Sequence, residues 1–209
     1  MTDGISLSCN RCLVERITVQ NGDDCVVFKS PSSNAVVRHV HCKAGGGIGL
    51  GTVGHRGVWA MNNITFDDIH LSGSFGASIK SFPDATGKVS DITFSNIIHE
   101  DVNYAIFAQQ FFLKDNSHPL PMTWENIKFI NFQGTTTELV KAPILIHCST
   151  ASSCVDFTIQ DFKVKQAGTR KTPYSIENAC GLGPGLSPCN SKRSKRASAI
   201  HRRKTLDSY

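Results

Sequence analysis

The sequence predicts an all-β fold, a right-handed parallel β-helix. Three observations carry that expectation. A seven-residue motif recurs along the chain, first as Asn63-Ile64-Thr65-Phe66-Asp67-Asp68-Ile69 and then as Asp91-Ile92-Thr93-Phe94-Ser95-Asn96-Ile97. It returns as Asn126-Ile127-Lys128-Phe129-Ile130-Asn131-Phe132 and as Asp156-Phe157-Thr158-Ile159-Gln160-Asp161-Phe162. Each copy alternates apolar with polar residues, the period of a half-buried strand, and no stretch carries a helical stripe. Repeats of this length, with strands and Asn- or Gly-rich turns, point to a solenoid. An antiparallel sandwich is the alternative, and strict recurrence of one motif argues against it.

In chain order, Leu13 to Val19 and Ala35 to Val40 are looser copies of the motif, with Val14 aligned to Val36, 22 residues on. The later spacings are 28 residues from Ile64 to Ile92, 35 to Ile127 and 30 to Phe157. Asn63, Asp91, Asn126 and Asp156 should occupy equivalent corners, where Asn and Asp suit turn geometry. Ile, Val and Phe should fill the interior. Tyr174 to Cys189 should fold over the last coil, because an open solenoid end exposes apolar stack and strand edge. The first coil begins at once, with nothing before Asp3 to cover it. That predicts poor solubility for residues 1–209 made alone.

Composition bounds the class. The chain has 209 residues, 40% hydrophobic and 19% charged, enough for one sizeable soluble domain. Its net charge of +5 is misleading. Residues 190–209 carry seven basic residues against Asp207, a balance of +6, which leaves −1 for residues 1–189. That tail has almost no apolar content and reads as disordered. A basic run can bind phosphate backbones, but a solvated tail is the favoured reading, and no nucleic-acid partner is expected. No segment is long enough to span a membrane.

Eight cysteines are present. Zinc would favour two close pairs, and Cys9-x-x-Cys12 has no second such pair after it. An even count in spaced couples fits disulfides in an oxidising compartment. The pairs expected are Cys25 with Cys42, Cys148 with Cys154 and Cys180 with Cys189. No signal peptide is visible at Met1. A disulfide-bonded chain without one implies that Met1 is not the true start of the complete protein. Asn63-Ile64-Thr65 is a candidate glycosylation acceptor.

The chemistry should lie at Asn21-Gly22-Asp23-Asp24-Cys25. Two adjacent carboxylates between strand-like runs repel each other, and burial raises the penalty. Chains keep such pairs mostly where carboxylates do chemistry or hold metal. Asp3 lies 20 residues before Asp23, and Gly46 lies 22 after Asp24, about one coil each. Residues one coil apart stack at about 4.8 Å, so Asp3, Asp23 and Asp24 should converge on one face, with Lys80 two coils later. Such a cluster suits glycoside hydrolysis, one acid protonating a leaving oxygen while the others activate water. A solvated acidic edge or a Ca²⁺ site is the alternative.

These residues resemble the motifs of glycoside hydrolase family 28, the polygalacturonase and rhamnogalacturonase family. Thr2-Asp3-Gly4 resembles the end of its Asn-Thr-Asp-Gly motif, with Met1 in place of Asn, and Gly22-Asp23-Asp24-Cys25 matches its Gly/Gln-Asp-Asp-Cys. The Gly45 to Gly54 run falls where the family has Gly/Ser-His-Gly, and Gly76 to Lys80 where it has Arg-Ile-Lys. The resemblance runs from Thr2 to about Cys189. It implies a pectin-lyase-like β-helix of which residues 1–189 are the C-terminal part, incomplete at the N-terminus. It implies inverting hydrolysis of a pectic polysaccharide, without metal or cofactor, by a secreted protein that is monomeric when full length.

By the same resemblance Asp23 is the general acid, Asp3 and Asp24 position and deprotonate water, and Lys80 binds substrate. Phe111 and Phe112 fall near an Asp-Tyr pair of many members, so Phe112 is a candidate sugar-stacking ring, with a core or rim Phe as the alternative. Two departures matter. Gly46 stands where polygalacturonases have His, and Ser78 where they have Arg, the natural bidentate partner of a uronate. Rhamnogalacturonan-acting members share both departures. His39, His41 and His55 do not occupy the motif slot and read as ordinary edge residues. A catalytically silent, polysaccharide-binding member is the second reading, motivated by Gly46 and Ser78.

Overall fold

The computed structural model describes residues 2–52, 58–73, 75–112, 120–139, 142–150, 153–168 and 172–190. His55, the end of the Gly-rich run at Val53-Gly54 and the basic tail from residue 191 lie outside these. Among the described residues there is no helix, and the strands form two seven-stranded parallel sheets. One holds β1 (Ile5–Leu7), β3 (Val26–Phe28), β5 (Ile48–Leu50), β7 (Phe75–Lys80), β9 (Tyr104–Gln109), β11 (Ile144–His147) and β13 (Ser175–Glu177). The other holds β2 (Leu13–Gln20), β4 (Ser32–Lys43), β6 (Val58–Ser72), β8 (Thr86–Val102), β10 (Met122–Thr136), β12 (Ser153–Gln166) and β14 (Ala179–Leu182). Each coil adds one short and one long strand, and its neighbours in the chain become its neighbours in the sheet. This is the parallel β-helix, wound in the right-handed sense that parallel crossovers adopt.

The repeated motif is the long strand, and its polar residues explain how a strand of up to 17 residues turns two corners. Asn63, Asp91, Asn126 and Asp156 all adopt φ between +52° and +58°, as expected. Five residues on, Asp68, Asn96, Asn131 and Asp161 do the same, with φ between +51° and +56°. Asn and Asp enter this left-handed region more readily than other side-chain-bearing residues because their short polar chains bond locally. They also tie coil to coil: the Asn126 amide donates to Asp91 Oδ1 at 2.7 Å, and Asn131 to Asn96 Oδ1 at 2.8 Å. In the first two coils Arg11, Arg16 and His39 occupy left-handed positions, which is why those copies look loose.

The expected pairing of the earliest coils is off by one. Val14 pairs with Val37, not Val36. Burial decides it: Ala35 and Val37 point inward, while Val36 is half-exposed. A one-residue shift would turn the whole inward set to the surface. The later alignments hold, with Ile64 beside Ile92 and Ile92 beside Ile127. Inside, Phe66, Phe94 and Phe129 stack at centroid distances of 4.7 and 5.3 Å. Each such ring contributes about 1.5–3 kcal/mol by leaving water.

All three expected disulfides are formed. Cys9 and Cys12 are joined as well, a fourth bridge that the short spacing did not suggest. Cys180–Cys189 fastens the segment beyond β14, where Gly181 N donates to Ser187 O.

Candidate active site

The acidic pair sits where the chain enters β3. The register continues outward from Ile5 beside Val26 and from Val26 beside Ile48, which sets Asp3, Asp24 and Gly46 on one row. Backbone bonds lock that row: Gly4 N donates to Asp24 O at 2.8 Å, and Gly46 N to Asp23 O at 2.7 Å. The Asn21 amide ties the levels together by donating to Thr2 O and Asp24 O. Carboxylate oxygens of Asp3, Asp23 and Asp24 all lie within 4.8 Å of one another. The convergence expected from coil length is therefore present. The same oxygens are spaced closely enough to receive a cation.

The three carboxylates differ in their surroundings. Asp24 is buried, and both its oxygens accept from Lys80 Nζ, at 2.8 and 3.0 Å. Burial pushes the Asp24 carboxyl above its ordinary value; Lys80 opposes this, and the Asp23 and Asp3 charges reinforce it. Asp3 accepts a short hydrogen bond from Ser6 Oγ and lies 3.6 Å from Lys29 Nζ. Asp23 Oδ1 accepts from Asp24 N at 2.9 Å, and among the described residues no cation pairs with Asp23.

Lys80 does more than follow two coils later. It reaches back to Asp24, and its ammonium stands 5.6 Å from the centre of the Phe112 ring. Phe112 thus borders the cluster through a cation–π contact. Phe111 turns elsewhere, its ring 6.2 Å from that of His147.

The two departures have structural consequences. A Cβ on Gly46 would stand 2.5 Å from Asp24 Oδ1 and 2.9 Å from Asp24 N. Gly45 is equally closed, since its Cβ would meet Asp23 O at 2.4 Å. The backbone here lies against the carboxylates and leaves no space for a side chain. Ser78 is buried, and its hydroxyl donates to Ile48 O at 3.3 Å. Its register partner is Phe107, whose ring meets those of Phe75, Tyr104 and Phe112 at 5.3, 5.2 and 5.9 Å. Where an Arg would bring charge, the chain presents an aromatic patch.

Sequence reasoning missed Lys29, Ser6 and this patch. Coil arithmetic could have found Lys29, because Lys29, Gly51 and Lys80 continue one register. The aromatic rings come from β7, β9 and the turn after β9; coil length would have set Phe75 beside Tyr104, while Phe112 in the turn has no such register. His39 and His41 lie on β4 in the other sheet; His39 bonds Asp68 at 2.6 Å, and neither joins the cluster.

Comparison with known proteins agrees with this geometry. The model of "Glycosyl hydrolases family 28" matches residues 1–186. A probable polygalacturonase of Arabidopsis thaliana is 32% identical over 78% of this chain and 38% of its own length. A probable rhamnogalacturonase B of Aspergillus oryzae is 28% identical over 87% of this chain and 34% of its own. The chain thus spans well under half the length of these relatives. Among solved structures, an endo-xylogalacturonan hydrolase from Aspergillus tubingensis superposes with a TM-score of 0.79 at 24% identity, over 90% of this chain and 54% of that one. That likeness concerns the fold. With the family model matched over nearly all of the described coils, the chain belongs to glycosyl hydrolase family 28.

Proposed function

We propose that this chain carries the catalytic carboxylates of a secreted, pectin-degrading glycoside hydrolase. Its substrate is rhamnogalacturonan or polygalacturonan, and it acts with inversion. The observation that carries the reading is the unequal support given to three converging carboxylates. Lys80 pairs with Asp24 and Lys29 stands near Asp3, while Asp23 has no such cation among the described residues. Asp23, the carboxyl not tied to a cation, takes the part of the general acid and donates its proton to the leaving glycosidic oxygen. Asp3 and Asp24 hold and deprotonate the attacking water. The raised value of Asp24 makes it a stronger base.

The cluster is tighter than the ~6.5–9.5 Å over which two-carboxylate inverting enzymes fit a water. Inversion is nonetheless favoured, because both Asp24 oxygens are engaged by Lys80 and are poorly placed to attack carbon. Proton NMR of the first-formed anomer tests this; a retained configuration would overturn it. Lys80 and Phe112 border the sugar at the scissile bond. The aromatic patch over Ser78 favours a neutral, methyl-bearing sugar beside one uronate, and hence rhamnogalacturonan over polygalacturonan. Reducing-sugar release from the two polymers decides between them, and inactivity on both would remove the proposal. Four disulfides suit an oxidising, extracellular location. We take the complete protein to be a monomer, with residues 1–189 as one β-helix unit and Asn63 as a glycan acceptor. The Asn63 amide already donates to Asn34 Oδ1 at 2.9 Å, so a glycan there would use the remaining hydrogen.

A further inference from the structure

Lys80 pairs with Gln109, and Gln109 pairs with His147, so the three side chains share one face of the sheet that carries the carboxylates. His147 stands two strands beyond Lys80 and four beyond Asp24. At about 4.8 Å per strand, that is roughly 19 Å from the Asp24 level. Four features meet at His147. Its side chain is largely buried, at 16% exposure. Its Nε2 lies 2.7 Å from Ser175 Oγ. The Phe111 ring lies alongside it at 26°. Glu177 Oε1 approaches to 3.8 Å.

We propose that Phe111, His147 and Ser175 form a distal sugar subsite of the same groove, and this rests on the reading of the chain as a pectin hydrolase. The ligand is one pyranose of the glycan, several residues from the cleaved bond. Phe111 offers an aromatic face to the apolar side of the ring. The imidazole and the Ser175 hydroxyl, held to each other, offer donors and acceptors to the sugar's hydroxyls. The occupant is argued from continuity, because a glycan seated across Asp24 and Lys80 and running along the stacked strands passes over Gln109 and then His147. Among the described residues His147 bonds no backbone carbonyl, and it is far from the carboxylates.

The test compares polymer with an oligosaccharide of about three sugars, too short to extend four strand spacings of about 4.8 Å. Phe111→Ala and His147→Ala should each raise KM for the polymer about tenfold, with kcat and the short substrate unaffected. Phe111→Trp should retain affinity. Equal loss on both substrates, or no change on the polymer, overturns the subsite. If the unaltered protein cleaves neither substrate, the hydrolase reading fails by itself. Affinity electrophoresis in pectic polymer then reads the subsite alone, where retardation lost in Phe111→Ala supports it and retardation kept overturns it.

Discussion

Lys80 Nζ lies 2.8 Å from one oxygen of Asp24 and 3.0 Å from the other, across two coils of the helix. The pair is nearly enclosed, at 12% and 8% side-chain exposure. Removing one partner of such a pair leaves an uncompensated charge. Lys80→Met should therefore cost about 1–3 kcal/mol, below the usual buried-pair loss because some solvent remains. It should also raise the Asp24 carboxyl further, moving the acid limb of the kcat/KM profile to higher pH. Urea unfolding and a pH–rate profile check both. Adding Asp24→Leu to Lys80→Met should restore stability but not activity.

Asp23→Asn should remove about 10²–10⁴ of the rate, the usual contribution of a placed general acid. Stability should change by less than about 0.5 kcal/mol, because the amide oxygen can still accept from Asp24 N. Reducing-sugar release together with a melting curve separates the two effects. Unchanged release would assign the proton to another group.

Gly46→Ala forces a Cβ against Asp24 and should cost about 1–3 kcal/mol with a fall in kcat. Gly22→Ala is the matched control, because nothing lies within 4 Å of a Cβ there. It should be neutral, or stabilising by up to about 1 kcal/mol through the unfolded chain. Thermal melts of the two variants make the comparison.

His99 is buried in β8 beside the Phe132 ring, and burial lowers its value to about 4. Because the folded state binds the proton less tightly than the unfolded chain, stability is full above about pH 6.5 and falls as pH drops toward 4. The loss from this residue should be about 3 kcal/mol across that window. Unfolding free energies of His99→Phe at pH 7 and pH 4 should differ less than those of the unaltered protein by about that amount.

The fold was readable because every coil repeats one local instruction. Asn63 or Asp91 turns the corner, Ile64 or Ile92 enters the core, and Phe66 or Phe94 joins the stack. The carboxylate cluster was readable for the same reason, since coil length converts sequence separation into stacking. Lys29 was open to the same arithmetic and was missed, whereas the contacts among the site residues depend on side-chain reach. Lys80 extends back two coils to Asp24, and Phe112 comes to Lys80 from a turn. Length alone also misjudged Val14, because 22 and 23 residues both make one coil and only inward packing tells them apart. The Cys9–Cys12 bridge lay below the separation that suggested the other couples.

Coil lengths vary from 28 to 35 residues between successive corners at Asn63, Asp91, Asn126 and Asp156, yet the corners stay in register. The differences in length are therefore taken up outside the paired positions of the strands. Insertions and deletions there leave the row that holds Asp3, Asp23 and Asp24 in place. A scaffold of this kind lets the outside of a coil change in length without moving the residues that converge on its face.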